Sequence, residues 1–169
     1  DGDDYYEPEA LNKFIEYLKT NPSDLVIAPY ITYDSDSGKV ITTEDCNPGC
    51  KLLKEYQIKD VPEFGPFMHS LSIKTKLLQN GNVKVTEHCF YTDTEFVLKA
   101  CNQAQTISFF DMPLYYYRRA AVGQSMSLSG FEKHYMEQYK VIEVSLDYLK
   151  NNVKRPEIKK IFDKLLFGT

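Results

Sequence analysis

The most informative stretch of this sequence is residues 90–119, which read FYTDTEFVLKACNQAQTISFFDMPLYYYRR. Asp93 is of a residue type that favours helix starts, and the apolar residues behind it recur on one helical face, so residues 93–104 are predicted to form a helix. Two runs rich in β-branched and aromatic residues, 106–110 and 114–118, predict strands. A helix followed directly by strands indicates an α/β fold.

Regular apolar spacing on both sides of this stretch predicts the remaining elements. Apolar residues spaced three and four apart predict helix 8–19, and a helical pattern covers 129–151. A favourable C-terminal cap at Asn80-Gly81 predicts a helix over 70–79, and a short last helix follows the break at Arg155-Pro156 and ends near Phe167. Short apolar runs predict strands 25–33, 39–43 and 83–86, the first two joined as a hairpin by Asp34–Gly38. We expect one small mixed sheet with flanking helices, and the C-terminal helices of residues 129–169 packed outside it.

Composition and charge limit the classes of protein to consider. The chain has 169 residues, of which 43% are hydrophobic and 26% charged, a balance typical of a globular domain. Its 20 basic and 24 acidic residues give a net charge of -4, which argues against nucleic acid as the partner. No apolar run reaches the roughly 18 residues of a membrane span, and the acidic start is unlike a signal peptide. We therefore expect a cytoplasmic location and reduced cysteines.

An acidic segment, Asp1-Gly2-Asp3-Asp4, precedes the first predicted helix. Closely spaced carboxylates on a glycine-containing turn are good ligands for a divalent cation, which relieves their mutual repulsion and leaves positions open for a phosphate. The alternative is a solvated acidic terminus whose charge favours the positive end of the helix. Taken alone, the segment favours the second interpretation.

Other candidate residues each have a structural alternative as well. Asp93, at a strand-to-helix junction, suits a general base, although a plain helix cap is the commoner role of such an aspartate. Arg118 and Arg119 offer guanidinium donors to a diphosphate, or form an exposed pair at a strand end. His69 is an isolated imidazole, which is more often a structural residue than a ligand.

The order of these segments resembles the C-terminal half of bacterial family 2 glycosyltransferases, the inverting nucleotide-sugar enzymes that build capsular and lipopolysaccharide chains. The resemblance spans about 1–128. It is carried by Asp1–Pro8, by Phe90–Ala100, and by Pro113–Arg119 with Ser125–Ser127. It implies that the chain is the acceptor-side part of a GT-A-like nucleotide-diphospho-sugar transferase fold, beginning at the D-x-D motif.

The resemblance also implies roles for single residues. Asp3 and Asp1 would hold the divalent metal, Mn²⁺ or Mg²⁺, on the donor diphosphate, and Asp93 would be the general base. Arg118 and Arg119 would contact the diphosphate, and His69 would lie in the acceptor site. This sequence departs from the family pattern at Thr92, where the family has Glu before the catalytic Asp.

The implied reaction is of the hexosyltransferase type, from a nucleotide-diphospho-sugar to a hydroxyl of a saccharide or lipid-linked acceptor, in the cytoplasm or at the inner face of the membrane. Family members begin with a Rossmann-like half that runs into the D-x-D segment, so we expect this fragment alone to be inactive and to expose a sheet edge prone to self-association. One alternative is a non-catalytic carbohydrate-binding or interaction module that uses the tyrosines. A metal-dependent phosphohydrolase is disfavoured, because its nucleophilic aspartate would need a strand before it.

Overall fold

The computed structural model describes residues 4–34, 36–119 and 128–167. The strands are β1 (Tyr5–Tyr6), β2 (Leu25–Ile27), β3 (Tyr30–Asp34), β4 (Val40–Glu44), β5 (Tyr56–Gln57), β6 (Leu71–Ile73), β7 (Thr106–Phe109) and β8 (Tyr115–Arg119). The α-helices are α1 (Pro8–Thr20), α2 (Thr75–Asn80), α3 (Asp93–Gln103), α4 (Leu128–Asn152) and α5 (Pro156–Phe167). Among these residues, one 3₁₀ turn follows β5 at Ile58–Asp60 and another precedes β6 at Met68–Ser70.

Within the described ranges these strands form two four-stranded mixed sheets, where the sequence predicted one. The first sheet has the strand order β1-β8-β3-β4, and the second has the order β5-β7-β2-β6. Strands β3 and β8 pair in parallel in the first sheet, as do β2 and β7 in the second, and the other neighbours are antiparallel. The predicted hairpin is confirmed, because β3 and β4 are antiparallel neighbours joined through a turn after Asp34.

The predicted strand 25–33 is divided between the two sheets. Its first part, β2, belongs to the second sheet, and its last part, β3, belongs to the first. Pro29 has no N–H for a sheet ladder, and its carbonyl accepts instead from Leu114 at 2.9 Å. Phe110, just after β7, donates to the Ile27 carbonyl at 2.8 Å. The two chain segments therefore pass together from one sheet into the other, side by side.

Helix α1 begins where the sequence predicted. Pro8 is its first residue, and the Glu7 carboxylate accepts a hydrogen bond from the Ala10 N–H at 2.5 Å, which caps an otherwise unsatisfied backbone donor. A small apolar cluster lies beneath this helix, made of Ala10, Phe14, Val26, Ala28, Phe110 and Leu114. The cluster fixes α1 over the place where the chain passes between the sheets.

The main core lies between the second sheet and helices α3 and α5. The second sheet contributes Leu25 and Phe109 to this core, α3 contributes Leu98, and α5 contributes Ile158 and Phe162. All of these side chains are buried, and each contributes roughly 1.5–3 kcal/mol through its transfer from water. Helix α5 therefore supplies part of the core, whereas we expected the C-terminal helices to pack outside the domain.

Two predicted elements differ in the structure. Residues 70–79 were predicted as one helix, but 71–73 form β6 against β2 and the helix begins only at Thr75. Apolar Leu71 and Ile73 fit an edge strand as well as a helix, and pairing with β2 decides between them. Residues 83–86 are not a strand but a loop, which hydrogen bonds to α3 through the Thr86 N–H. In the described part of the chain, no helix is long and apolar enough to cross a membrane.

Candidate functional site

One face of the first sheet is covered by the turn that carries His69. The imidazole of His69 packs against three tyrosine rings, with centroid distances of 4.3 Å to Tyr117, 5.5 Å to Tyr115 and 5.4 Å to Tyr30. Side chains alternate along a strand, so Tyr115 and Tyr117 of β8 lie on the same face. We call this surface the His69 face. The turn itself is fixed from below, because the Ala28 N–H donates to the Ser70 carbonyl at 2.9 Å.

The acidic segment reaches this face through Asp4. One carboxylate oxygen of Asp4 accepts from the Tyr115 hydroxyl at 2.6 Å, and the other accepts from the Arg118 backbone N–H at 2.7 Å. A cavity of about 270 Å³ lies beside this contact, between β1 and the His69 turn. Its lining includes Asp4, Tyr6, His69, Ser72 and Tyr115. From the sequence, Asp4 is only one carboxylate of the acidic segment, whereas in the structure its hydrogen bonds join the chain just before β1 to β8.

Asp93 lies at the start of α3, with an exposed side chain. The prediction that it caps the helix is wrong, because Thr92 occupies the cap position and Asp93 is the first helical residue. A carboxylate in the first turn of a helix is stabilised by the partial positive charge of that end. Thr92 makes no side-chain cap hydrogen bond either, and the Asp93 carboxylate is exposed to solvent.

The pKa of His69 depends on its burial and on the charges of Asp93 and Asp4. Burial lowers the pKa of His69 below its ordinary value, while the charges of Asp93 and Asp4 act in the opposite direction. The net effect is a lowered pKa, so this imidazole is neutral at neutral pH and carries one N–H donor and one nitrogen acceptor. His69, Asp4 and Asp93 are therefore brought within electrostatic reach of one another, although they are far apart in the sequence.

The predicted metal ligands Asp1 and Asp3 lie outside the described residues, as does Ser125–Ser127 of the last motif. Among the residues the structure describes, no group of three or more His, Cys, Asp or Glu side chains is arranged to hold a metal ion. Both carboxylate oxygens of Asp4 already accept hydrogen bonds. The described residues therefore supply no geometry for a metal, and we derive no step through one.

Arg118 and Arg119 are consecutive in β8, and strand alternation directs them to opposite faces of the first sheet. Arg119 lies on the His69 face at an exposed strand end, opposite Asp34 in the register. Tyr30 lies on that face too, where burial raises its pKa and the charge of Arg119 acts against the rise. Arg118 lies on the other face. From the strand positions, Arg119 is the better placed of the two to meet a ligand at the His69 face.

The other face of the first sheet carries a second group of tyrosines. The ring of Tyr5 stacks on Tyr116 with centroids 4.9 Å apart, and Tyr33 meets Tyr5 edge-on at 5.7 Å. Tyr5 remains 47% exposed. We call these three residues the tyrosine trio. The run Tyr115-Tyr116-Tyr117 thus divides its rings between two surfaces, as its period of two allows.

Sequence reasoning missed Glu95, which is 1% exposed. Its carboxylate accepts from the Thr86 N–H at 3.0 Å and from the Lys99 ammonium at 2.5 Å. Burial acts to raise the pKa of Glu95, but the Lys99 and Thr86 donors hold it below its ordinary value. The spacing of four between Glu95 and Lys99 was a visible signal of a helical ion pair, whereas the contact with Thr86 was not.

Among known proteins, this chain is similar to solved structures only at the level of its fold. No family model and no curated protein matches the chain. Solved structures do match: S. aureus TarS 1-349 in complex with UDP-GlcNAc has a TM-score of 0.67 at 20% identity, covering 98% of this chain and 46% of that one. TarS 1-349 in complex with UDP has a TM-score of 0.62 at 19% identity, covering 97% and 44%. The structure of TarS has a TM-score of 0.62 at 20% identity, covering 98% and 27%.

The fold, with its mixed sheets and flanking helices, is similar to the C-terminal part of a TarS glycosyltransferase domain. The expected fold class is thereby confirmed. The chain spans less than half the length of the TarS structures it matches. The neighbours support a glycosyltransferase fold but not the capsular or lipopolysaccharide type that the sequence suggested.

Proposed function

We propose that this chain is the acceptor-side part of an inverting glycosyltransferase that uses a nucleotide-diphospho-sugar. The main support is the likeness over 98% of the chain to a TarS structure that holds UDP-GlcNAc. The acceptor is a hydroxyl of a saccharide or of a lipid-linked saccharide. The enzyme works in the cytoplasm, at the inner face of the membrane when the acceptor is lipid-linked, and this fragment alone is inactive.

Asp93 is the general base of the proposed reaction. It takes the proton from the acceptor hydroxyl as that oxygen attacks the anomeric carbon from the face opposite the leaving group. The bond from the anomeric carbon to the diphosphate oxygen breaks, the nucleoside diphosphate leaves with the electron pair, and the configuration inverts. The exposure of Asp93 at the start of α3 supports this role, because an acceptor can reach its carboxylate.

The other residues bind and orient in this proposal. Neutral His69 donates or accepts a hydrogen bond at the acceptor, and its ring position is fixed by Tyr115 and Tyr117. Arg119, on the His69 face, contacts the donor diphosphate, and Arg118 supports β8 from the other side. Asp1 and Asp3 would hold Mn²⁺ or Mg²⁺, which when bound would stabilise the charge on the leaving diphosphate.

The test compares variants of the longer protein that contains this chain. Calorimetric titration with UDP-GlcNAc and other nucleotide sugars, with and without Mn²⁺, measures donor binding, and release of nucleoside diphosphate measures transfer. Asp93→Asn should bind donor normally and lose most of the turnover, about 100-fold or more, because general base catalysis contributes roughly 10²–10⁴-fold. Asp60→Asn, at an exposed position in a 3₁₀ turn, is the matched control. Normal turnover by Asp93→Asn would overturn the assignment of the base.

The tyrosine trio favours a second candidate, a non-catalytic carbohydrate-binding module. Exposed aromatic rings such as that of Tyr5 suit the apolar faces of sugars. This candidate predicts saccharide binding that is indifferent to Mn²⁺ and to Asp3→Ala but is abolished by Tyr5→Ala. Metal-dependent donor binding that Asp3→Ala removes supports the transferase instead.

A further inference from the structure

The loop that leads into α3 has a constrained backbone. His88 and Tyr91 both lie in the left-handed region, with φ of 52° and 64°. Residues with a Cβ rarely adopt this conformation, and they keep it only where surrounding contacts hold them. The loop ends at Thr92, whose carbonyl accepts the first α3 hydrogen bond, from Phe96 at 2.9 Å. The direction in which Asp93 leaves the backbone therefore depends on this loop.

Helix α4 holds the loop from the side through Glu137. One carboxylate oxygen of Glu137 accepts from the Phe90 N–H at 2.7 Å, and the other lies 2.6 Å from Nδ1 of His134. The Phe90 ring packs on the His134 imidazole with centroids 4.1 Å apart. The Cys89 thiol donates to the Glu137 carbonyl at 3.6 Å. Two consecutive loop residues are thus fixed to one turn of α4.

The Glu137 carboxylate is held in one orientation by its contacts with His134 and Phe90. His134 lies three residues before Glu137 on the same helical face, so its nitrogen orients the carboxylate that receives the Phe90 N–H. Hydrogen bonds from His134 and Phe90 lower the pKa of Glu137, so the group is ionised at neutral pH. A hydrogen bond to an ionised acceptor is stronger than one between neutral groups.

We propose that Glu137 is a positioning residue for Asp93, acting through residues 88–92. The inference rests on the proposed function, because it assumes that Asp93 is the base. Glu137 has no contact with the acceptor in this scheme. It holds the backbone that sets where the Asp93 carboxylate lies, and a displacement of about 1 Å in a reacting group can cost about 100-fold in rate.

The test uses Glu137→Ala and Glu137→Gln in the longer active protein, with Glu143→Gln as the matched control. Glu143 is an exposed residue of the same helix. Hydrogen exchange of the Phe90 amide reports on the loop, and the buried Ile107 amide reports on global folding. In Glu137→Ala we expect faster Phe90 exchange with unchanged Ile107 exchange. We also expect kcat to fall by about 10- to 100-fold with little change in KM. Glu137→Gln keeps an oxygen acceptor for the Phe90 N–H and should restore most of both.

The outcomes separate this inference from the proposed function. Unchanged Phe90 exchange in Glu137→Ala would overturn the positioning role, whatever happens to turnover. Faster exchange with unchanged kcat would also overturn it, and loss of turnover in Asp93→Asn would then leave the proposed function standing. Full turnover in Asp93→Asn would overturn the assignment of Asp93 as the base, whereas absence of turnover in the wild-type longer protein would overturn the proposed function itself. An equal fall of kcat in Glu137→Ala and Glu137→Gln would remove the hydrogen-bond explanation.

Discussion

The two sheets share chain segments but bury different kinds of side chain. In the second sheet, β2 is completely buried, and its Leu25 and Ile27 pack against α3 and α5. In the first sheet, β8 carries three half-buried tyrosines and two arginines. Aliphatic side chains without polar atoms can be packed densely, whereas tyrosines combine a large apolar ring with a hydroxyl that needs a partner. The second sheet therefore contributes to the main core, whereas the first presents a partly exposed surface whose chemistry suits binding.

The largest expected effect tests the stability of the second sheet. Phe162→Ala removes a side chain with 0% exposure from the main core and should cost about 3–5 kcal/mol of unfolding free energy, since lost transfer energy and the cavity add. Chemical denaturation measures it. Tyr135→Ala, at a side chain 61% exposed on α4, should change stability by less than about 0.5 kcal/mol. Equal effects at the two sites would break the contrast between core and surface.

The next effect concerns the buried carboxylate of Glu95 on α3. Glu95→Gln keeps the shape of the side chain but removes the charge paired with Lys99, and we expect a loss of about 1–3 kcal/mol at pH 7. The pKa of Glu95 is lowered in the folded state, so its stabilisation is present above the ordinary pKa of Glu. It is lost as the pH falls through the lowered value.

The unfolding free energies of the wild type and Glu95→Gln should therefore differ at pH 7. They should converge as the pH falls below the ordinary pKa of Glu towards the lowered pKa of Glu95. Glu143→Gln, at an exposed position on α4, should show no such convergence. A difference between wild type and Glu95→Gln that persists undiminished in acid would show that packing, and not charge, is responsible.

The smallest effect sharpens the description of the His69 face. Tyr115→Phe removes the hydroxyl that donates to Asp4 and should cost about 1 kcal/mol, the usual net value of one hydrogen bond. Hydrogen exchange should quicken at Tyr6, next to β8, and stay unchanged at Ile107 in the second sheet. Tyr6→Phe, at an exposed ring, is the control and should be nearly neutral. If Ile107 exchange changes as much as that of Tyr6, the sheets do not behave as separate regions.

Local patterns predicted those elements whose partners are close in the sequence. Pro8 and the apolar spacing behind it predicted α1, and the turn at Asp34–Gly38 predicted the β3–β4 hairpin. These inferences succeed because a helical face, a turn and a strand period are properties of a few neighbouring residues.

Long-range partners account for what the sequence did not predict. Leu71–Ile73 becomes a strand because β2 lies beside it, more than 40 residues earlier in the chain. Glu137 accepts a hydrogen bond from Phe90 across 47 residues, and no sequence pattern at either residue predicts that contact. Asp4, likewise, finds Tyr115 across 111 residues. Helix and strand propensities are weak beside such pairing, since tertiary packing overrides them.

The two chain segments that pass between the sheets tie the main core to the His69 face. Ala28 and Pro29 lie on one segment and Phe110 on the other, and backbone hydrogen bonds join both segments to each other and to the turn that carries His69. The turn that carries His69 is therefore held by main-chain hydrogen bonds, which a side-chain substitution in the surrounding tyrosines would leave in place. The imidazole thus takes its position over the first sheet from the backbone of the core.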